Sequence, residues 1–203
     1  PHTIFFLLAS AVFRDGLAAV FTFGGIIAGG TFGWELPQVI MFAIFGNVIA
    51  AAGSFAGGFL DDRIGPKPVI VGALTGLLLA GTVIAVLGAE DVSLFGLEWT
   101  GDTTFWVFGL SLCLFVGPAQ SASRAFLARL APDGEESELF GLYATTGRAV
   151  SFLAPSLFAA FIAIFGAQRY GIIGILLVLL LGLLALLPVR APGKTPKAVV
   201  PEV

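Results

Sequence analysis

The chain has 203 residues, of which 58% are hydrophobic and only 11% are charged, and its mean hydropathy is +1.02. A soluble domain could not bury that much apolar surface, so the composition indicates an integral membrane protein. The formal net charge of −3 argues against a nucleic-acid partner, and a single Cys and a single His exclude an internal disulfide and a His/Cys metal site.

Six apolar segments are long enough to cross a bilayer, which takes about 20 residues of helix. The apolar runs are continuous rather than alternating, which excludes a β-barrel. We therefore expect an all-α membrane protein whose residues 1–188 form a six-helix transmembrane bundle and whose residues 189–203 form a flexible cytoplasmic tail. The chain starts at Pro1, which suggests a fragment of a longer protein. The predicted helices cover residues 4–30, 37–60, 68–88, 104–123, 138–165 and 169–188.

The first predicted helix carries Arg14 and Asp15 near its middle, and the fifth carries Arg148 at a similar depth. A charge at the bilayer centre costs roughly 2.5–3.5 kcal/mol on insertion scales, so such residues usually face a cavity or a partner. We expect Asp15 to pair with Arg148 or Arg14 across a cavity, with one of these charges contacting a substrate or a coupling proton. The alternative is an ion pair that only holds the helices together.

The second and third helices are joined by the stretch "GGFLDDRIGPKPVIVG", residues 57–72. Asp62 and Arg63 can tie helix ends together, and Gly65 allows a tight turn. An ordinary basic cytoplasmic loop is an equally good interpretation of these residues taken alone. Within the second helix, the GxxxG spacing of Gly53 and Gly57 favours close helix packing.

The fourth helix contains "VGPAQSAS", in which Gly117 and Pro118 are expected to interrupt the helix and free backbone carbonyls. Transporter sites favour such broken helices. Gln120, Ser121 and Ser123 are therefore candidates for lining a cavity. A packing cluster of small polar residues is an equally weighted alternative.

The positive-inside rule predicts that both termini are cytoplasmic. One side of the predicted topology collects seven basic residues outside the helices, and the opposite side has only Arg169. Trp34, Trp99 and Trp106 all fall near the opposite side and indicate an interfacial aromatic belt. The seven basic residues are Arg63, Lys67, Arg124, Arg129, Arg190, Lys194 and Lys197.

The spacing Gly58-x-x-x-Asp62-Arg63-x-Gly65-x-Lys67 resembles the signature loop of the major facilitator superfamily, with Pro66 where a basic residue is usual. Three further segments, "FRDGLAAVFTFGGIIAGGTFGW", "FVGPAQSASRAFLARLAP" and "ELFGLYATTGRAVSFLAP", resemble the C-terminal half of the vacuole-effluxer-like, autophagy-related permease branch. The resemblance implies that the six helices are helices seven to twelve of a twelve-helix transporter. It also implies that Gly58, Asp62, Arg63, Gly65 and Lys67 form a conformational latch, with the acidic start of the fifth helix as a possible partner.

The resemblance further implies secondary transport, by alternating access, of a small organic solute, with amino-acid efflux across a bacterial inner membrane as the specific expectation. The implied partners are the lipid bilayer, the small-molecule substrate and either the N-terminal six-helix half or a second copy. A non-transporting six-helix module that binds a partner or senses a ligand is the alternative. No phosphate-binding loop and no defensible nucleophile–base pair occur in the sequence, so we expect neither an enzyme nor a cofactor.

Overall fold

The computed structural model describes residues 2–94, 97–132 and 134–189. The predicted tail therefore lies outside the described residues except for Val189. Within the described residues, the helices and strands follow in the order α1 (His2–Phe32), α2 (Leu36–Ile64), α3 (Pro66–Leu87), β1 (Val92–Leu94), β2 (Leu97–Trp99), α4 (Gly101–Leu130), α5 (Glu136–Val150), α6 (Leu153–Phe165) and α7 (Gly171–Leu186).

These elements make six membrane-length spans, as the sequence predicts. Helices α1 to α4 each form one span, α5 and α6 together form the fifth, and α7 with a preceding 3-10 turn (Gln168–Tyr170) forms the sixth. The all-α membrane fold is thus confirmed. The loop between α3 and α4 adds a short antiparallel pair, in which Val92 of β1 pairs with Trp99 of β2; hydropathy gave no sign of these strands.

The fifth span is broken at Ser151 and Phe152. Pro155 explains the break, because it has no N–H to donate to the carbonyl of Ser151 and its ring crowds that carbonyl. The chain instead makes a tighter turn, with the Ser151 N–H donating to Arg148 O at 3.3 Å, and α6 begins two residues later, at Leu153. The break leaves the first N–H groups of α6 without a partner inside the helix.

The predicted break in the fourth span does not occur, because α4 runs continuously through Pro118. Pro118 leaves the carbonyl of Leu114 without its usual helical donor, and Gly53 of α2 lies directly against that oxygen. Gly57 lies one turn further along, where an added Cβ would stand 2.7 Å from Pro118 Cα. The predicted close packing at the GxxxG pair is confirmed, and the backbones of α2 and α4 touch there.

The remaining helices pack around α4 and α7: α4 contacts α2 and α3, and α7 contacts α1, α3 and α6. Gly182 of α7 abuts the backbone of Phe13 in α1, so these two helices also approach closely. One end of the bundle holds the α2–α3 turn, the α4–α5 loop and the end of α7. The other end holds the β1–β2 pair, where Arg169 lies 3.9 Å from Glu90.

Trp34 does not belong to an interfacial belt, contrary to the sequence-based expectation. It is buried, its indole N–H donates to Asp102, and its ring lies 5.1 Å from that of Phe105 and 5.0 Å from that of Trp106. These rings and Phe42 form one aromatic cluster between the α1–α2 turn, α2 and the start of α4. Trp34 therefore anchors helices to one another instead of facing the headgroups.

Candidate functional site

A polar cavity of about 420 Å³ lies between α1, α4 and α5. It brings together the four charged or amide residues that the sequence singled out as substrate or proton-coupling candidates, Arg14, Asp15, Gln120 and Arg148. The full lining is Arg14, Asp15, Ala18, Gln120, Arg124, Tyr143, Ala144, Gly147, Arg148 and Ser151.

The cavity lies between the middle of the bundle and the end that holds the α2–α3 turn, which we call the latch end. Arg14 and Arg148 each lie twelve residues into their spans, which is about 18 Å along the helix axis. Arg124 lies six residues before the end of α4, and is therefore about 9 Å deep. These charges thus occupy the region that hydrocarbon fills around a spanning helix.

Arg14 is held in place by α5. Its guanidinium donates to the backbone carbonyl of Tyr143 at 2.9 Å and lies 3.7 Å from the centre of the Tyr143 ring. Gly147 provides the space for this arrangement, since a Cβ there would stand 3.0 Å from the Arg14 nitrogens. Tyr143 is fixed in turn by a 2.8 Å hydrogen bond between its hydroxyl and that of Ser123.

Ser121 and Ser123 do not line the cavity, although the sequence made them candidates. Ser123 is fully buried and acts through Tyr143. The Ser121 hydroxyl donates to the Pro118 carbonyl within its own helix at 3.2 Å. Gln120, by contrast, is exposed to the cavity.

The carboxylate of Asp15 is hydrogen-bonded to the backbone at the helix break and is not paired with an arginine. Its Oδ2 accepts a hydrogen bond from the backbone N–H of Ala154, at the start of α6, at 2.6 Å. Among the described residues the ion pairs are Arg129–Asp61 and Arg169–Glu90, so the predicted pairing of Asp15 with Arg14 or Arg148 is wrong. The positive end of the α6 dipole provides the compensation that a cation would otherwise give.

Arg124 and Arg148 are both exposed on the cavity wall. In the described part of the chain neither guanidinium has a hydrogen-bond acceptor or an acidic partner. Sequence reasoning counted Arg124 among the loop residues, but it lies inside α4 and joins the site. The site therefore presents three guanidinium groups to one carboxylate.

The interhelical contact of the predicted latch is made by Asp61, one residue before the predicted Asp62. Asp61 is buried and pairs with Arg129 in the last turn of α4 at 2.8 Å. Asp62 and Arg63 are exposed, and Arg63 lies over the ring of Phe59 in its own helix. The acidic start of α5 does not take part in this pair.

Lys67 and Gly65 make the other structural contacts of this end. The Lys67 ammonium donates to the carbonyls of Leu187 and Val189 at 2.7 and 2.6 Å, and so ties the start of α3 to the end of α7. Gly65 turns the chain between α2 and α3 with φ of 90°, which a residue with a side chain rarely adopts. Gly58 is exposed, with open space beside it.

Sequence reasoning missed Tyr143, Arg124 and the helix break that partners Asp15. The break had a signal in Pro155, which stands inside an apolar run just as Pro118 does. Arg124 had a weaker signal, the i to i+4 spacing from Gln120, which places both on one face of α4. Nothing in the sequence marked Tyr143, because its role depends on the approach of α1.

The comparisons with known proteins identify one family and several relatives. The family model described as vacuole effluxer Atg22 like matches residues 1–198. Autophagy-related protein 22 of Cryptococcus neoformans var. neoformans serotype D (strain B-3501A) is 29% identical over 189 residues, which are 88% of this chain and 34% of that protein.

A second Cryptococcus neoformans sequence with the same name, from strain JEC21, is 29% identical over 88% of this chain and 32% of its own length. The uncharacterized MFS-type transporter YxiO of Bacillus subtilis (strain 168) is 25% identical over 181 residues, 89% of this chain and 39% of that protein. The chain thus spans about a third to two fifths of the length of these curated relatives.

Proposed function

Because the chain belongs to the vacuole effluxer Atg22-like family, we propose that it forms one wall of a secondary transporter that moves a small organic solute by alternating access. The membership confirms the resemblance noted in the signature loop and in the three longer segments. The chain is an integral, multi-pass membrane protein, and the names of its family and of its Bacillus subtilis relative refer to transport and not to an enzymatic reaction.

The observation that carries this proposal is the exposed charge on the cavity wall at mid-membrane depth. Elsewhere the bundle exposes large apolar side chains, among them Phe55, Val86 and Ile164, which suit contact with lipid. Arg148 and Gln120 do not, because a charged or amide side chain facing hydrocarbon is costly. The face of α1, α4 and α5 that bears the cavity therefore requires water or another polypeptide opposite it.

The length of the relatives supports a second wall from the same protein. Since the chain covers about a third to two fifths of their length, each has residues enough for a further bundle of this size. We propose that the partner is an N-terminal six-helix half, with a second copy of this chain as the alternative. The cavity would then lie between the two halves, where a solute can bind.

The contacts at the latch end support the alternating-access part of the proposal. Asp61 joins α2 to α4, and Lys67 joins α3 to α7, all at the end towards which the cavity extends. We propose that these contacts hold one access state and release in the other.

We further propose efflux as the direction of transport and a bacterial inner membrane with both termini in the cytoplasm as the location; an amino acid is the solute that the family resemblance implies, and it is the first candidate to test. The family description as an effluxer supports the direction. The excess of basic residues at one end supports the orientation. Uptake of labelled leucine into inside-out vesicles that contain the full-length protein tests the solute and the direction together.

Labelling from the water phase tests the cavity itself. In the full-length protein, Arg148→Cys should react with a membrane-impermeant maleimide, because position 148 faces the cavity. Ala149→Cys is the matched control, since it lies at the same depth but about 100° around α5, outside the cavity lining on the surface that faces lipid, and should stay unreactive. Cys113 is buried and should contribute little background. Protection of position 148 would instead support a non-transporting membrane module.

A further inference from the structure

We propose that the cavity recognises a small oxyanion that carries two negative charges, such as a dicarboxylate or a phosphate monoester. This inference rests on the proposed transport function and names the substrate class of the same site. It departs from the expectation of a neutral amino acid, and its basis is the charge of the lining.

The lining contains Arg14, Arg124, Arg148 and a single carboxylate, that of Asp15, and so has a formal charge of +2. At mid-membrane depth an unbalanced charge of this size is unfavourable unless a counter-charge or water compensates it. A bound dianion would balance the excess charge of the wall that this chain supplies. A zwitterionic amino acid with an apolar side chain brings no net charge and leaves the excess in place.

Asp15 does not neutralise the arginines, although it is part of the lining. One of its oxygens is committed to the Ala154 N–H, and the described residues contain no ion pair between it and an arginine. The three guanidinium groups therefore keep most of their capacity for a ligand.

The arginines suit oxyanion recognition by their geometry as well as their charge. A guanidinium presents several N–H groups in one plane and matches the two oxygens of a carboxylate or phosphate. Arg14 is preorganised, because the Tyr143 carbonyl and ring fix it and Gly147 leaves space for it. Arg124 and Arg148 are exposed on two different helices of the wall, α4 and α5, and keep their guanidinium groups available to a bound anion.

The cavity volume also fits a small ligand. About 420 Å³ lies at the lower end of the range for small-molecule sites, roughly 300–1,000 Å³. Succinate and glycerol 3-phosphate are simple probes of this size that carry two negative charges near neutral pH. Propionate is a smaller probe with one negative charge, and leucine is a probe of comparable bulk with no net charge.

The test is a binding titration of the purified full-length protein with these four probes at low ionic strength. We expect succinate, glycerol 3-phosphate or both to bind at least about tenfold more tightly than propionate and leucine, because each extra charge-assisted contact is worth about a factor of ten or more. Binding of only one dianion identifies the ligand as a dicarboxylate or as a phosphate ester. Raised salt should weaken this binding, since the attraction is electrostatic.

Variants then assign the binding to the cavity. Arg124→Gln and Arg148→Gln should each weaken binding of the dianion about tenfold, with the thermal midpoint of the unliganded protein unchanged because both side chains are exposed. Arg169→Gln is the control: it removes the same charge at the far end of the bundle and should leave the affinity as it is.

Four results would overturn the inference. Leucine binding more tightly than either dianion would do so while leaving the transport proposal intact. If Arg124→Gln and Arg148→Gln leave the affinity for the dianion unchanged, the anion site lies elsewhere. If none of the four probes binds and position 148 still reacts with maleimide, the dianion proposal is rejected and the water-filled cavity stands. If none binds and position 148 is protected, both proposals are rejected.

Discussion

Two buried carboxylates, Asp15 and Asp61, show how the same chemical group is stabilised at two depths in this protein. Each is 7% exposed. Asp15 lies near the middle of α1 and accepts from a backbone N–H at the start of α6. Asp61 lies near the end of α2 and pairs with Arg129, whose side chain is partly in solvent.

The difference follows from what each depth makes available. Near the membrane surface a long arginine side chain can reach a carboxylate and keep the rest of its guanidinium hydrated. At the membrane centre a broken helix offers fixed N–H groups, so no second charged side chain has to be buried there. Asp15 is thus held without using an arginine, and the cavity arginines stay available to a ligand.

The largest effect should come from removing the acceptor at position 15. Asp15→Leu leaves the Ala154 N–H buried and unpaired, which should lower the free energy of unfolding by about 1–3 kcal/mol. Asp15→Asn keeps an acceptor oxygen and should restore most of the loss. Thermal unfolding of the full-length protein in detergent measures both. Equal destabilisation by Leu and Asn would mean that the charge of Asp15, and not its hydrogen bond, is what matters.

A loss of stability should also come from a change at Gly57, which lies one turn before Asp61 in the contact between α2 and α4. Gly57→Ala places a Cβ 2.7 Å from Pro118 Cα, and because that atom is backbone, α2 and α4 must move apart. We expect a loss of about 1–3 kcal/mol of stability. Gly58→Ala is the matched control, since nothing lies within 4 Å of its added Cβ. A neutral Gly57→Ala would contradict the close α2–α4 contact.

The smallest effect on stability should come from the Asp61–Arg129 pair. Because the Arg129 side chain is 41% exposed, a double-mutant cycle with Asp61→Asn and Arg129→Gln should give a coupling of at most about 1 kcal/mol. The functional effect should be clearer: Asp61→Lys should slow transport by the full-length protein and leave substrate affinity unchanged. Asp62→Lys, at an exposed position, is the control and should transport normally. If Asp62→Lys slows transport and Asp61→Lys does not, the latch contact is made by Asp62.

Much of the fold and part of the site were predictable from local composition. The six spans follow from hydropathy, because a helix that faces lipid must be apolar along its whole length. Arg14, Asp15 and Arg148 stood out because a charge inside an apolar run is costly wherever the helix is placed. The GxxxG pair was recognisable for a similar reason, since only small residues let backbones touch.

The pairing of these residues was not predictable in the same way. Asp61 and Asp62 are adjacent and point about 100° apart, so the rotation of α2 against α4 decides which of them meets Arg129. Pro118 and Pro155 both stand inside apolar runs, yet only Pro155 accompanies a break. At Pro118 the close backbone of Gly53 covers the carbonyl that the proline leaves unpaired, whereas at the other site Asp15 takes up an N–H that the break exposes.

The sequence by itself therefore determined that this chain supplies six membrane-length spans with charges inside the bilayer, because length, hydropathy and the cost of burying charge are properties of each segment alone. The tertiary structure alone decided that Asp15 caps α6, that Arg14 rests on Tyr143, and that Arg124 joins Arg148 and Gln120 at one cavity. Those outcomes depend on how helices distant in the chain rotate and approach one another, and close packing fixes both only once the whole bundle has assembled.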